Sequence, residues 1–94
     1  MAIAMQHTAP RRPETEEIAA GASAGQTLHR SAHASGPGGY WRSGGTTGAE
    51  EAKAFFGLGP DDRLLGFFQL GCIETPSAPG RRGPVQGKTP WVSE

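Results

Sequence analysis

The N-terminal third of the chain alternates between apolar and charged stretches that predict a strand followed by one long helix. Residues 2–5 form a short apolar run that resembles an interior strand. Pro13 and the acidic residues after it suit the first turn of a helix, where proline fixes φ and carboxylates complement the helix dipole. We predict a helix from Glu14 to Ala34 that Gly36 and Pro37 end.

Small residues are expected to form the buried stripe of this helix. The positions at three- and four-residue spacing are Ile18, Ala22, Gly25, Leu28 or His29, and Ala32. Gly21 and Gly25 each cost about 1 kcal/mol relative to alanine in a helix interior. We therefore expect these glycines to pack closely against another backbone.

The second half of the pattern predicts a short helix and one buried strand. Thr47 and Glu50 have the spacing of a capping box, and Ala52, Phe55 and Phe56 make the helix after them amphipathic. Gly57 ends this helix, and a turn is predicted over residues 59–62. The run LLGFFQL, residues 64–70, is continuously apolar, which is typical of a strand buried on both faces.

From Glu74 onward, proline or glycine recurs every few residues, which predicts an extended arm without a core of its own. We accordingly divide the chain into residues 1–73, which carry the core, and the arm, residues 74–94. Trp91, near the end of the arm, needs a surface to pack on.

Composition limits the classes of function that the chain can have. Its 94 residues are 35% hydrophobic and include 15 glycines and 8 prolines, so the core is thin for a single domain. The formal net charge is zero, which argues against nucleic acid or an anionic membrane as partner. The single cysteine, Cys72, favours a reducing compartment and hence the cytoplasm, and no signal peptide or membrane span is expected.

Three motifs suggest chemistry, and each has a simpler structural explanation. Gly21 to Gly25 matches G-x-S-x-G, but Ser23 falls inside the predicted helix with no strand before it. His29 and His33 share one helix face as zinc ligands do, although no third ligand follows. Cys72 is interpreted as a packing residue at a strand end. We therefore predict no catalytic side chain and no metal site.

The stretch GPGGYWRSGG, residues 36–45, offers the best candidate binding chemistry. A planar indole, a guanidinium and a hydroxyl stand side by side in Trp41, Arg42 and Ser43, on glycine-rich backbone that a ligand can approach closely. These groups suit an aromatic, phosphorylated cofactor. The alternative is a loop in which a structural tryptophan stacks on arginine.

The sequence also resembles a known family. The stretches AAGASAGQTLHRSAHASGPGGYWRSG and AEEAKAFFGLGPDDRLLGFFQLG are similar, in order and spacing, to the C-terminal half of the FMN-dependent nitroreductases. The resemblance extends over nearly the whole chain and is most specific at residues 32–44 and 57–71. It implies an α+β fold in which helices pack on part of an antiparallel-type sheet, followed by the Pro/Gly-rich arm.

The resemblance also implies a function and a set of site residues. The family forms homodimers with FMN at the subunit interface and transfers hydride from NAD(P)H through the flavin to a nitro compound or a similar small-molecule acceptor. Trp41, Arg42 and Ser43 match the turn that contacts FMN. A second stretch matches residues that contact NAD(P)H: Ser31, Ala32, His33, Ala34, Ser35 and Gly36.

Departures from the family pattern leave other interpretations open. The chain does not contain the family's N-terminal half with its arginine-rich flavin-phosphate motif, so we expect a truncated site that is not competent alone. Six residues depart from the family's usual types within the matched part: Gly21, Gly25, Arg30, Ser35, Pro37 and Gln69. The alternatives are a non-catalytic fragment or interaction protein that docks on a full-length homologue, and a gene remnant without a stable fold.

Overall fold

Three antiparallel strands and one long helix form the body of the protein. The structure is a computed structural model that describes residues 1–8 and 12–93. The elements are β1 (Ala2–Met5), α1 (Glu14–Ala34), β2 (Gly38–Arg42), α2 (Glu50–Phe55) and β3 (Arg63–Gly71), with short 3-10 turns at Gly45–Gly48 and Gln86–Lys88. The strand order is β1-β3-β2, with both pairings antiparallel. The predicted α+β fold class is confirmed.

Helix α1 has the predicted bounds. Its C-terminal end is marked by Gly36, whose φ of 105° lies in the left-handed region that favours glycine. Its first turn carries Glu14, Glu16 and Glu17, and Pro13 precedes it. The local signals of proline, acidic residues and glycine therefore suffice to place both ends.

The predicted strand β1 is present, and it lies at an edge of the sheet, where it pairs with β3 alone among the described residues. The register shifts between Ile3, which pairs with Gly66, and Ala4, which pairs with Leu64. Leu65 is left over as a bulge. A Cβ on Gly21 of α1 would lie 2.6 Å from the Leu65 Cδ1 atom, so the bulged side chain packs against the helix.

Strand β3 is the central strand, but the prediction that it is buried on both faces is wrong. Leu64, Gly66 and Phe68 are buried, while the residues between them are partly exposed and residues 69–71 are exposed. Gly66 and Phe68 lie on the face that α1 covers, whereas the bulge at Leu65 places the buried Leu64 on the opposite face. The continuous apolar run does not reveal which face is covered.

Helix α2 ends before Gly57 as predicted, but its capping and its orientation differ from the prediction. Ala49 occupies the N-cap position without a side-chain hydrogen bond, and the Thr47 hydroxyl donates instead to the Gly44 carbonyl at 2.7 Å. Phe55 is 82% exposed. The buried residue of α2 is Lys53, whose Nζ donates to the Pro60 carbonyl oxygen at 3.0 Å.

The hydrophobic core is as thin as the composition predicts. Among the described residues, the buried hydrophobic side chains are Met5, Leu64 and Phe68. Gly25 of the predicted stripe is buried, and Ile18, Leu28, His29 and Ala32 are partly buried, whereas Ala22 is exposed.

The C-terminal arm is extended, as predicted. Residues 74–93 contain only one 3-10 turn and are exposed apart from Thr89. The radius of gyration of 17.0 Å exceeds the roughly 12 Å of a compact domain of this length. Trp91 is 81% exposed and Val92 is 95% exposed, so the described chain does not cover the end of the arm.

Candidate functional site

Trp41 lies on the face of the sheet that α1 covers. A Cβ on Gly25 of α1 would stand 2.7 Å from its Cζ3 atom, and one on Gly66 of β3 would stand 2.6 Å from Cε2 and Cζ2. The indole thus packs between the helix and the central strand. The structure gives this side chain a packing role, and its contact with a flavin stays a prediction.

Arg42 lies on the opposite face. In the β2–β3 pairing, Trp41 stands opposite Phe68 and Arg42 stands opposite Phe67. Directly opposed residues share a face, and successive residues alternate between faces. Because Trp41 faces α1, the side chains of Arg42 and Phe67 project away from the helix.

Arg42 and Ser43 line a cavity of about 240 Å³ on this second face. The other side chains around it come from the 3-10 turn and from β3: Thr46, Thr47, Phe67 and Gln69. A guanidinium, hydroxyl groups, an amide and one aromatic side chain therefore line the same cavity. Such a set can bind an anionic or polar group and contact a planar ring beside it.

Sequence reasoning missed four of these lining residues, Thr46, Thr47, Phe67 and Gln69. Phe67 and Gln69 belong to the apolar run of β3, and only the strand register places them beside β2. The sequence predicts Thr47 as part of a capping box, but its hydroxyl donates a hydrogen bond to the Gly44 carbonyl instead. The proximity of the threonines to the Trp-Arg-Ser step in sequence was the one available signal.

The predicted NAD(P)H stretch lies elsewhere, at the C-terminal end of α1. The backbone N–H of Ser35 donates to the carbonyl oxygens of Ser31 and Ala32 at 3.1 Å, and its hydroxyl donates to Ser31 at 2.9 Å. The N–H of Gly36 donates to His33 at 3.3 Å. These polar groups serve to end the helix.

None of residues 31–36 lines the 240 Å³ cavity at Arg42 and Ser43, which we call the Arg42 cavity. His33 lines a different, open cavity of about 430 Å³ with Tyr40 and Cys72, and Ser31 and Ala34 border a shallow depression on α1 itself. Gln69 is the residue that borders both the 430 Å³ cavity and the Arg42 cavity. The role of residues 31–36 in binding NAD(P)H stays a prediction.

Of the residues in the other motifs, Ser23 and His29 have structural roles. Ser23 lies in α1, and its hydroxyl donates to the Ala19 carbonyl at 2.8 Å. The His29 ring packs edge-on against Phe68, with centroids 5.2 Å apart. Cys72 directly follows the last residue of β3 but is exposed, so its interpretation as a packing residue is wrong. Among residues 1–8 and 12–93, no group of three or more histidine, cysteine, aspartate or glutamate side chains is placed to hold a metal ion.

Among the described residues, two groups have a clearly displaced pKa, and neither lines the Arg42 cavity. The hydrogen bond that the His7 ring makes to the Glu17 carboxylate raises the pKa of His7, and backbone N–H donors from Gly59 and His7 lower the pKa of Asp62. Within the described part of the chain, no helix has the length and apolarity needed to cross a bilayer.

One solved structure has a fold similar to that of this chain. The structure matches that of a nitroreductase-like family protein from Bacillus cereus with a TM-score of 0.77 and 25% sequence identity. The match covers 89% of this chain and 46% of that chain, so the present chain spans about half the length of its neighbour. No protein-family model and no curated protein matches the sequence. The fold is therefore a partial nitroreductase-like fold.

Proposed function

We propose that this chain supplies one wall of the FMN site of an NAD(P)H-dependent oxidoreductase of the nitroreductase type, acting on a nitro compound or similar acceptor. The observation that carries the proposal is the cavity at Arg42 and Ser43. This cavity lies at the turn that resembles the family's flavin-contacting turn, in a fold similar to a nitroreductase-like protein. A bound flavin would supply the redox chemistry, passing hydride from NAD(P)H to the acceptor.

The residues of the cavity fit one part of FMN. Arg42 offers a fork of N–H donors that matches a phosphate or the carbonyl edge of the pyrimidine ring, and Ser43 adds a hydroxyl. Phe67 and Gln69 supply an aromatic surface and an amide on the same side of the sheet. Trp41 contributes by anchoring β2 to α1, which directs the neighbouring Arg42 side chain to the open face.

The cavity is too small for the whole cofactor. Its volume of about 240 Å³ is below the roughly 300–1,000 Å³ of pockets that enclose small ligands and cofactors. Further walls must therefore come from additional polypeptide, which we propose to be a second copy in a homodimer or a full-length homologue. The similar protein has more than twice the matched length, which supports this proposal.

Two measurements on the purified chain test the function. Flavin absorbance after purification reports bound FMN, and oxidation of NAD(P)H in the presence of added FMN and a nitro acceptor reports turnover. Binding without turnover supports a site that another polypeptide must complete. A colourless preparation that takes up no FMN at high micromolar concentration would exclude activity of the isolated chain.

A second candidate function rests on the exposed apolar side chains. Phe55, Trp91 and Val92 are each more than four-fifths exposed, and two of them are neighbours in the extended arm. They favour an interaction protein that docks on a full-length homologue without catalysing a reaction. Co-purification with such a homologue, without any gain in flavin content, would favour this second function over the first.

A further inference from the structure

A cluster of hydrogen bonds ties the segment after β1 to two other parts of the fold. The His7 backbone N–H donates to Asp62 Oδ1 at 3.0 Å, and the His7 Nδ1 atom lies 2.5 Å from Glu17 Oε2. Asp62 belongs to the turn before β3, and Glu17 lies in the first turns of α1. One residue thus bridges the edge strand, the long helix and the central strand.

The groups facing His7 are predominantly acidic. Glu14 and Glu17 of α1 and Asp61 of the turn before β3 act on its charge, and Asp62 of the same turn accepts its backbone N–H. Two described cations on this side of the fold have other partners: Arg63 Nε lies 2.5 Å from Glu14, and Lys53 donates to the Pro60 carbonyl oxygen. An imidazolium at His7 therefore meets negative charge from both elements packed against it.

We propose that His7 is a pH-responsive latch, which holds the end of β1 against α1 and the β3 turn when it is protonated and loosens that strand when it is neutral. The proposal does not depend on the proposed flavin chemistry. Strand β1 is suited to such control because it has four residues, lies at the sheet edge and pairs with β3 alone among the described residues.

The direction of the pH effect follows from the hydrogen bond to Glu17 and the surrounding carboxylates, which raise the pKa of His7 above its ordinary value of 6.5. A group with a raised pKa in the folded state stabilises that state fully below its unfolded pKa. The stabilisation is lost as the pH rises through the folded pKa. Neutral His7 can still donate one hydrogen bond to Glu17, so β1 should loosen rather than leave the sheet.

The test combines an NMR titration of the histidine rings with amide hydrogen exchange, both between about pH 5 and pH 8. We expect His7 to titrate above 6.5 in the wild-type chain and closer to 6.5 in Glu17→Gln. After correction for intrinsic exchange rates, protection of the β1 amides should fall as the pH rises. His7→Gln keeps a hydrogen-bonding side chain without a titrating ring, so its β1 protection should not change with pH.

His33→Gln is the matched control, because His33 is an exposed histidine of α1 outside this cluster. It should keep the wild-type pH dependence of β1. The proposal is overturned if His7 titrates at or below 6.5, or if β1 protection in the wild-type chain does not change with pH. Equal pH dependence in His7→Gln and the wild-type chain would also overturn it. The NMR titration of the wild-type chain shows whether His7 titrates above 6.5, even if a variant does not fold.

Discussion

The Trp41 indole occupies the space that a side chain on Gly25 would need. A Cβ on Gly25 would stand 2.7 Å from the ring, and one on Gly66 would stand 2.6 Å from it on the other side. Real Cβ atoms essentially never approach this closely, so the helix can lie at this distance from the sheet only because both residues are glycine. Two glycines that weaken their elements in isolation thus permit one of the close contacts between α1 and the sheet.

Replacing Gly25 with alanine should therefore destabilise the protein. In a solvent-exposed helix the same change would stabilise by about 1 kcal/mol. Here the added methyl group overlaps the indole, and overpacking of this kind costs about 1–3 kcal/mol. Urea unfolding followed by circular dichroism measures the difference, and Gly66→Ala should lower the unfolding free energy in the same way.

Gly48→Ala is the control for both variants, since a Cβ at that position would meet nothing within 4 Å and its φ is not positive. It should leave the unfolding free energy within about 0.5 kcal/mol of the wild-type value. A stabilised Gly25→Ala variant would contradict the packing described for Trp41.

Replacing Trp41 and Arg42 with alanine should lower the unfolding free energy by different amounts. Trp41→Ala empties the space between α1 and β3 and should cost about 3 kcal/mol, a large part of the stability of a small domain. Arg42→Ala removes an exposed side chain and should change the unfolding free energy by no more than about 0.5 kcal/mol. Equal losses in urea unfolding would mean that the two neighbours do not have the separate roles assigned to them.

The sequence predicts the elements of this protein better than their relationships. Glycine, proline and acidic residues mark the ends of α1, and the apolar run marks β3, because such signals are local. The register of β3 against β2 is not local, and it alone determines that Trp41 and Arg42 face opposite sides of the sheet. For the same reason the sequence suggests a backbone contact at Gly25, where the structure has an indole.

The Asp62 carboxylate should make stability depend on pH on the acidic side. Backbone N–H donors from Gly59 and His7 hold its pKa below the ordinary value of 3.8. Its stabilisation is therefore present above pH 3.8 and is lost as the pH falls through the lowered pKa. Asp62→Asn should be less stable than the wild-type chain at neutral pH in thermal unfolding, and the two should converge in acid.

Asp61→Asn tests whether this acid effect is specific to Asp62. Asp61 is exposed and lies next to Asp62 in the same turn, so its variant has a similar charge. It should keep the acid dependence of the wild-type chain. Identical pH profiles for the two variants would assign the effect to the net charge of the turn.

Phe55 should matter for docking and not for folding. Its side chain is 82% exposed, so Phe55→Ser should keep the unfolding free energy within about 0.5 kcal/mol. If this surface binds a second copy or a full-length homologue, the variant should lose that association in co-purification and analytical ultracentrifugation. Unchanged association would exclude Phe55 from the interface.

The most direct test of whether the Arg42 cavity binds FMN is a titration of the isotopically labelled chain with FMN. NMR chemical shifts monitor this titration and detect weak as well as tight binding. We expect shifts concentrated at Arg42, Ser43, Thr46, Thr47 and Phe67, and their loss in Arg42→Ala while the fold is kept. Shifts confined to other surfaces, or no shifts at millimolar FMN, would contradict the assignment of this cavity to the cofactor.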